Sequence, residues 1–335
     1  MMEDKKRISS RDVAREAGVS QATVSYVLNN REDIKIRPET REAVLKAAEA
    51  LDYHPNYIAK GMRLKRSMSI GIVTDRNVTN FYFMKTLEGI KDGVQENNYS
   101  ITLLFNKHED VQDCEYINYY NSYRIDGILF AFATVEDKIQ RHMKERGIPF
   151  VIVDTTPKGT AAHQVCTDHL DKIRDAVLYF KQAGVKSIGY AGPRVDKGKD
   201  ARSEALLQAA AGEGYDMDAK SLAFSVFKDE EIIRSVKGLL EGDRKPDGIL
   251  AGSPKFGMLA LKAALMLGKR MPGDLRLIAL GSSQFFDITH PSISSIEVPL
   301  FEMGQKAAGK LFGILAGEKQ EKITIVPSEL VIRES

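Results

Sequence analysis

From residue 69 onward, short apolar runs alternate with longer segments whose apolar positions recur at helical spacing. This alternation predicts an α/β fold in which mostly parallel strands are covered by helices on both faces. Two doubly wound subdomains are the commoner solution at this length, and one open sheet of about eight strands is the alternative. The predicted strands span residues 70–74, 100–105, 127–131, 150–153, 187–190, 222–226, 248–251 and 275–279. The predicted helices include residues 83–97, 171–183, 202–212, 230–241 and 257–267.

The start of the chain has a different pattern, which predicts two short helices joined by a tight turn. Ser9 can cap the first helix, and Asp12 three residues later completes a capping box. Val13 and Ala14 together with Ala17 give this helix a small apolar face.

A glycine and a serine mark the boundary between these two helices. Gly18 supplies the left-handed residue that ends the first helix. Ser20 caps the second helix, whose apolar residues Val24, Val27 and Leu28 face back onto the first. Positions 21, 22, 25 and 26 are left facing outward. The arrangement predicts a small all-α helix-turn-helix head whose second helix enters the DNA major groove, with an unspecialised helical pair as the alternative.

A third helix follows, and with it a resemblance to a known family. Pro38 opens this helix at its first turn, and apolar residues at 43, 44, 47, 48 and 51 form its inner face. The motifs DVAREAGVSQATVS, PETREAVLKA and HPNYIAKGMR then occur in order over the first 65 residues. On these motifs the chain resembles the lac-repressor (LacI) family of bacterial transcription regulators.

The resemblance continues more faintly through the rest of the chain. It is similar to the periplasmic-binding-protein-like effector domain of that family in segments such as RIDGILFA, IPFVIVD, KSIGYAGP and SELVIRES. The resemblance implies a homodimer of chains whose two subdomains enclose a ligand cleft and are crossed several times by the backbone. We expect a head at 1–53, a hinge and linker at 54–67, and a body at 68–335. Within the body, the subdomains are expected at about 68–163 with 291–323, and at about 164–290 with 324–335.

The family positions imply which head residues contact DNA. Gln can pair with adenine through two hydrogen bonds and Ala can contact a thymine methyl group. Tyr26 stands where many relatives carry Arg, so the operator is expected to differ at that step, although packing at the helix edge is the alternative role. The residues expected at base edges are Gln21, Ala22 and Tyr26. Those expected at phosphates are Ser20, Thr23, Ser25 and Asn29.

The segment after residue 55 resembles the family's hinge helix. In relatives this segment orders on operator DNA and inserts a Leu into the minor groove; Met62 holds that position here. An apolar wedge of this kind kinks the duplex. Gly61 costs a helix about 1 kcal/mol relative to Ala, so we expect a hinge that folds on binding DNA. Two paired hinges imply a pseudo-palindromic operator, and the expected contact residues are Asn56, Ala59, Lys60, Met62 and Arg63.

The resemblance also implies effector-binding positions at the carboxyl ends of the strands, where open α/β sheets bind ligands. Three aromatic residues follow the first strand in the loop that relatives use to hold a ligand, with Phe81 standing where relatives usually have Pro. The expected effector-binding residues are Asn77, Phe81, Tyr82, Asn106, Asp154, Arg202, Phe227, Ser253 and Ser282.

Three family signatures are altered in this cleft. Ser253-Pro254 replaces the usual Asn-Asp, Ser282-Ser283 replaces a carboxylate-containing pair, and Glu204 replaces an Arg. Replacing Asp by Ser loses charge-assisted hydrogen bonds, which are about twice as strong as neutral ones. A buried, unpaired Glu204 would repel an anionic ligand. A sugar or sugar phosphate remains a candidate effector, but these changes weaken that expectation and permit an unusual ligand, a partner protein or no small effector.

Charge is distributed unevenly between head and body. Residues 1–67 contain 14 Lys or Arg against 10 Asp or Glu, a net charge of +4, and the other 268 contain 34 against 36, a net charge of −2. A basic head suits phosphate contacts, although the same charge is also an ordinary solvated surface.

The familiar catalytic and cofactor motifs are missing from the sequence. It lacks GxGxxG after the first strand, GxxxxGK[ST], GxSxG and HExxH, so we expect no nucleotide cofactor, no catalytic residues and no metal. His163, Asp168 and His169 lie close in sequence but do not match metal-ligand spacing, and solvated loop histidines are the better interpretation. Cys114 and Cys166 form no CxxC pair.

The sequence therefore predicts a dimeric, operator-binding repressor whose DNA affinity an effector modulates. No apolar run is long enough to span a bilayer and the N-terminus has no signal-peptide core, so we expect a cytoplasmic protein with no membrane partner. Whether an effector would act as inducer or co-repressor is not determined by the sequence. The alternatives are an activator, a regulator gated by a partner protein, a sugar-binding protein of the transport type and an α/β enzyme.

Overall fold

A computed structural model describes residues 8–28, 34–53, 66–105, 114–156, 162–194, 200–226 and 228–335 of the 335-residue chain. The chain forms two compact units, Met1–Ser67 and Met68–Ser335, which are here called the head and the body. The predicted hinge at 54–65 lies outside the described residues.

Three helices make up the described part of the head: α1 (Ser10–Glu16), α2 (Gln21–Leu28) and α3 (Pro38–Ala50). Gly18 has φ +65°, which is the left-handed conformation expected at the end of α1. The Asp12 carboxylate accepts hydrogen bonds from the Ser9 N–H at 3.0 Å and from its hydroxyl at 2.6 Å. The local signals read from the sequence thus set the start and end of α1.

The head core is small and made of short side chains. Val13, Val24 and Val44, one from each helix, are completely buried against one another. Val27 and Ala47 extend the same cluster. Because so few side chains hold the three helices together, each of these valines carries a large share of the head's stability.

The body contains two six-stranded sheets. The first sheet has the order β11-β5-β4-β3-β1-β2 and all of its pairings are parallel. Its strands are β1 (Ser69–Thr74), β2 (Ser100–Phe105), β3 (Gly127–Ala131), β4 (Phe150–Val153), β5 (His163–Thr167) and β11 (Ile323–Val326).

The second sheet has the order β12-β10-β9-β8-β6-β7, and only the β10–β12 pairing is antiparallel. Its strands are β6 (Ile188–Pro193), β7 (Leu222–Ser225), β8 (Gly248–Ala251), β9 (Arg276–Leu280), β10 (Ser294–Glu297) and β12 (Glu329–Val331).

Helices cover both faces of the two sheets, and four separate apolar clusters fill the spaces between them. The prediction of an α/β body with two doubly wound subdomains is confirmed. The helices are α4 (Phe81–Glu96), α5 (Glu115–Asn121), α6 (Asp137–Glu145), α7 (Ile173–Gln182), α8 (Ala201–Gly212), α9 (Asp229–Glu241), α10 (Pro254–Met266) and α11 (Leu300–Leu315).

The helices α4 and α11 pack against each other at unusually close range. A Cβ atom on Gly89 would lie 2.0 Å from the carbonyl oxygen of Phe301, and one on Gly304 would lie 2.2 Å from that of Thr86. Only glycine permits this approach, because a methyl group at either position would overlap the facing backbone.

The backbone crosses between the sheets at different places from those expected. The sequence places the crossings between the subdomains at about residues 163, 290 and 323. In the structure, the crossings follow β5, β10 and β11. The predicted set of eight strands also lacks β5, β10, β11 and β12. β5 (HQVCT) and β10 (SSIE) are rich in polar residues and β12 is only three residues long, so none of these three forms a typical apolar run. β11 (ITIV) is as long as β4 and β8 and largely apolar, so its omission is an error of the prediction.

Candidate DNA-reading helix and ligand cleft

The helix α2 buries one face and presents the other to solvent. Val24 and Val27 are buried in the head core. Gln21 and Ala22 are exposed, and Tyr26 is half-buried. The side chains at positions 21 and 22 are therefore accessible along most of their length, whereas Tyr26 keeps part of its ring against the head.

The polar side chains at the start of α2 make few contacts within the head. Gln21 Nε2 donates to Ser10 Oγ at 2.7 Å. Ser20 Oγ accepts from the Thr23 N–H at 3.1 Å and lies 2.9 Å from the Thr23 hydroxyl. These bonds form the expected cap of α2. They also engage the hydroxyls of Ser20 and Thr23, two of the residues predicted to contact phosphates. Ser25 is half-buried.

Several predicted contact residues lie outside the described part of the chain. They are Asn29 in the head, Asn56, Ala59, Lys60, Met62 and Arg63 in the predicted hinge, and Asn106 and Phe227 in the body.

Two predicted cleft residues of the first sheet stabilise their own loops. Asp154 follows β4, and its Oδ1 accepts from the Thr155 N–H at 2.7 Å. Asn77 follows β1, is exposed, and its Oδ1 accepts from the Thr79 N–H at 3.1 Å. Both lie beyond the carboxyl ends of their strands, as the sequence predicts.

The three consecutive aromatic residues of α4 have different environments. Phe83 is completely buried in the core, while Phe81 and Tyr82 are half-buried. Tyr82 contacts Phe132 edge to face with ring centroids 5.9 Å apart. The hydroxyl of Tyr82 accepts a hydrogen bond from the Ser282 N–H at 3.1 Å. Tyr82 therefore reaches from the first subdomain to the loop after β9 in the second.

The Tyr82 hydroxyl is buried where it contacts the loop after β9. The burial of its hydroxyl raises the pKa of Tyr82 to about 12, so the group is neutral at physiological pH. Gly281 has φ +95°, and a Cβ atom there would lie 1.9 Å from the Tyr82 oxygen. Glycine is thus required at residue 281 both by its backbone conformation and by the approach of Tyr82.

Arg202 lies in a buried hydrogen-bonded network of the second subdomain. Its Nε donates to Asp200 Oδ1 at 2.9 Å and its Nη1 donates to the Gly252 carbonyl at 2.8 Å. Asp200 is 5% exposed and also accepts from the Tyr190 hydroxyl. Asp200 and Tyr190 were not predicted from the sequence. Arg202 balances the charge of a buried carboxylate and keeps about a third of its side chain exposed.

The two serines that replace the family's polar signatures hydrogen-bond to the backbone. Ser253 caps α10, its Oγ accepting from the Phe256 N–H at 3.5 Å. Ser282 Oγ accepts from the Val298 N–H at 2.8 Å and lies 3.2 Å from the Val298 carbonyl, to which it donates. Ser282 thereby holds one of the connections that cross between the sheets.

The other two crossing connections are joined to each other. The Thr167 and Ser328 hydroxyls are hydrogen-bonded, and Asp168 Oδ1 accepts from the Ser328 N–H at 2.6 Å. Thr167 ends β5, and Ser328 lies between β11 and β12. These bonds join two of the connections where they cross between the sheets.

His169 follows Asp168 and is buried, so the interpretation as a solvated loop residue is wrong. It is 8% exposed, and its Nδ1 has no hydrogen-bond partner among the described residues. Burial first, and then the positive charge of Arg202, lower its pKa to about 4. Its polar neighbours in sequence favour a surface loop, but the folded chain covers the ring. Glu204, in contrast, is exposed.

Within the described ranges, no group of three or more His, Cys, Asp or Glu residues could hold a metal ion. The helices of those same ranges include none long and apolar enough to cross a membrane.

Comparisons with known proteins match both units. Residues 10–56 match the family model for bacterial regulatory proteins of the lacI family, and residues 177–335 match the model for a periplasmic binding protein-like domain. Catabolite control protein A of Priestia megaterium is 25% identical over 327 residues, covering 97% of this chain and 98% of that protein.

Two solved structures share the fold. The lac repressor dimer bound to operator and the anti-inducer ONPF has a TM-score of 0.81 at 20% identity, covering 98% of this chain and 99% of that one. A complex of the transcriptional regulator CelR with cellobiose has a TM-score of 0.68 at 23% identity, covering 98% of this chain and all of that one.

A helix-turn-helix head followed by a periplasmic-binding-protein-like body defines the class of DNA-binding transcriptional regulators. Within that class, the chain is similar to the LacI family, whose model its head matches over residues 10–56.

Proposed function

We propose that this regulator is a dimeric repressor of carbohydrate-metabolism genes that acts in the cytoplasm, without catalysis, and whose operator affinity changes when a ligand occupies the cleft. The observation that carries the proposal is the outward face of α2. Gln21 and Ala22 are exposed there, while Val24 and Val27 hold the helix on the head. A helix anchored in this way can enter the major groove without disturbing the head core.

The chemistry of this face suggests the bases it reads. The Gln21 amide can pair with the N6 and N7 of adenine once it leaves its hydrogen bond to Ser10. The Ala22 methyl suits a thymine methyl group, and Tyr26 offers one hydroxyl and a flat ring. Ser20, Thr23, Ser25 and Asn29 are proposed to contact phosphates.

Fluorescence anisotropy with a labelled pseudo-palindromic duplex tests the proposal. Gln21→Ala removes a base contact and is expected to weaken operator binding about 10-fold or more, since a good base contact contributes ~1–3 kcal/mol. Gln182→Ala is the matched control, because it makes the same change at an exposed residue ending α7 in the body. Binding should weaken steeply with added salt. Equal effects of the two substitutions, or binding insensitive to salt, would contradict the proposed role of α2.

We further propose a head at 1–53, with a hinge and linker at 54–67 between head and body, as read from the sequence. Met62 is proposed to enter the minor groove between two paired hinges, with Asn56, Ala59, Lys60 and Arg63 beside it. The support is the sequence of this segment. Met62→Gly should weaken operator binding and reduce the bend of the duplex, which gel mobility of circularly permuted operators measures.

Dimerisation of the body is supported by large apolar side chains left at its surface. Leu265 and Met266 at the end of α10 are 48% and 58% exposed, and Ile288 in the loop after β9 is 76% exposed. Exposed apolar groups of this size are typical of protein interfaces. Light scattering of the purified protein should give twice the chain mass, and Met266→Glu should lower it toward the monomer.

A ligand in the cleft would act on the contacts that join the two sheets. Tyr82 bonds across the cleft to Ser282. Ser328 bonds to Thr167 and Asp168 and joins two of the connections between the sheets. A ligand that displaced or reinforced the Tyr82–Ser282 bond would change the angle between the sheets, and coupling of this kind typically amounts to ~1–3 kcal/mol. Asn77, Phe81, Asn106, Asp154, Arg202, Phe227 and Ser253 are proposed as further contacts.

One observation favours a second candidate, a regulator gated by a partner protein or by a ligand other than a sugar. Ser253 and Ser282 both use their hydroxyls on the backbone, and Arg202 is bound to Asp200 and Gly252. Among the described cleft residues, these three side chains are already occupied by bonds within the body.

A thermal-shift screen of sugars, sugar phosphates and purines separates these candidates. Stabilisation by a sugar or sugar phosphate would support the first, since a ligand at 100 times its Kd raises stability by ~2.7 kcal/mol. Stabilisation by a purine alone would favour a different ligand class. The absence of any shift would favour a partner protein.

A further inference from the structure

A cavity of about 750 Å³ lies at the end of the first sheet opposite the cleft. It is bounded by α6, by the residues leading into β4 and β5, by the end of α11 and by Lys322 just before β11. The cleft lies beyond the carboxyl ends of the same strands, so the two spaces are separated by the length of the sheet. The volume is typical of small-molecule sites.

The inner wall of this cavity is apolar. Ile148, Phe150 and Ala162 are each at least nine-tenths buried, and Ile314 at the end of α11 is half-buried. A surface of this kind favours the apolar part of a ligand, because burying it removes apolar area from water.

The rim carries more positive than negative charge. Arg141, Lys144 and Lys322 line the cavity and are exposed, and Asp137 is the one carboxylate in its lining. Neither Arg141 nor Lys144 forms a salt bridge among the described residues. Arg141 Nε instead donates to the Asp137 backbone carbonyl at a long 3.4 Å. Arg141 and Lys144 are therefore available to an anionic group that enters the rim.

A buried amide in the same wall points independently to a ligand. Gln140 lines the cavity and is 7% exposed. Its Nε2 donates to the Val135 carbonyl at 2.8 Å, whereas its Oε1 has no partner among the described residues. Buried carbonyl oxygens are nearly always hydrogen-bonded, so an unmet acceptor in a cavity wall is where a donor on a ligand would bind.

We propose that this cavity binds a small organic anion whose apolar body lies against Ile148, Phe150 and Ile314 and whose phosphate or carboxylate lies between Arg141 and Lys144. The natural ligand would also carry a hydrogen-bond donor for Gln140 Oε1. The site is distinct from the cleft and from the DNA-reading helix, so it adds a second ligand to this regulator whatever the cleft binds.

Calorimetric titration of the full-length protein with four probes tests the proposal. Phenyl phosphate and benzoate combine an apolar ring with an anionic group, whereas inorganic phosphate lacks the ring and benzyl alcohol lacks the charge. At least one of the ring-bearing anions should bind at one site per chain, about 10-fold or more tightly than either incomplete probe. Tighter binding of phenyl phosphate would assign a phosphate ligand, and tighter binding of benzoate a carboxylate.

Substitutions locate the site. The double variant Arg141→Gln with Lys144→Gln should weaken probe binding about 10-fold or more, since it removes both charge-assisted hydrogen bonds. Lys138→Gln is the matched control on the same helix, because Lys138 is exposed, is paired with Glu136 and does not line the cavity. Ala162→Phe should fill the cavity and abolish binding while leaving the rim charges in place.

Three results would overturn the proposal. The first is no binding of either ring-bearing anion at millimolar concentration. The second is binding that the double variant leaves unchanged, which would locate the probe elsewhere. The third is inorganic phosphate binding as tightly as phenyl phosphate, which would show that the apolar wall contributes nothing.

Discussion

The outward face of α2 and the cleft between the two sheets are both candidate binding surfaces, but their polar side chains are held differently. On α2, Gln21 makes one side-chain hydrogen bond, to Ser10 of α1. In the cleft, Arg202 bonds to Asp200 and to the Gly252 carbonyl, and Ser282 makes two bonds to the backbone of Val298. The residues proposed to read DNA can therefore change with little effect on the fold, whereas those proposed to face a ligand also stabilise the body.

The largest expected effect tests how far the α2 face depends on its few anchors. Val24→Asp places a carboxylate in the fully buried centre of the head and should cost several kcal/mol, because an unpaired buried charge has no compensation. We expect loss of operator binding with the body's thermal transition unchanged. Leu45→Asp, at a 49% exposed residue of α3, is the control and should retain a folded head. A fall in the body's transition as well would show that the two units are not independently stable.

A pH titration tests the opposite property, that cleft residues contribute to stability. His169 has its pKa lowered from 6.5 to about 4 in the folded protein. The folded protein holds the His169 ring neutral, so the contribution of this group to the free energy of unfolding is fully present above about pH 6.5. It is lost as the pH falls from 6.5 toward 4, where the unfolded chain takes up a proton that the folded chain does not. The loss from this group should reach about 3 kcal/mol.

Urea unfolding at pH 7 and pH 4.5 measures this effect. His169→Gln should be less sensitive to this change in pH than the wild type, because the titrating ring is gone. His290→Gln is the control, since the His290 side chain is 92% exposed. Equal pH dependence of the His169 variant and the wild type would mean that the ring is not held neutral by the cleft.

A substitution on α2 tests whether base preference can change alone. Tyr26→Arg should shift the preferred base at its step toward guanine, with a discrimination of ~1–3 kcal/mol, because Arg donates two hydrogen bonds to guanine. Anisotropy against the four operator variants at that step measures it. The midpoint of the head's thermal transition should be unchanged within the error of the measurement. If the preference did not change, the half-buried ring of Tyr26 would be a packing residue only.

The smallest expected effect concerns the bond across the cleft. Tyr82→Phe removes the acceptor for the Ser282 N–H and should lower the body's stability by ~1 kcal/mol, the usual contribution of a hydrogen bond. Denaturant unfolding measures this change, and Tyr123→Phe, at a 76% exposed residue, is the control. Small-angle scattering should show a wider angle between the sheets in the Tyr82 variant. No change in either measurement would mean that the Tyr82–Ser282 bond does not help to hold the two sheets together.

The sequence predicted those parts of the fold that depend on local signals. The caps of α1 and α2 and the eight apolar strands follow from residue type and spacing. The strands β5 and β10 were missed because Gln164 and Ser294 are buried polar residues, and only their partners in the sheet make them recognisable as strand residues. The candidate site divides similarly. Positions 21 and 22 follow from helical periodicity, whereas the burial of His169 and the Asp200 network depend on contacts between segments distant in sequence.

The hydrogen bonds of Ser328 limit how the two sheets can move. Through Thr167 and Asp168 they tie two of the three connections into one unit. Neither connection can bend without the other unless these bonds break. Bending of one sheet relative to the other therefore moves these two connections together. Under the proposed function, ligands of different chemistry that move this joined pair would produce the same change in operator affinity.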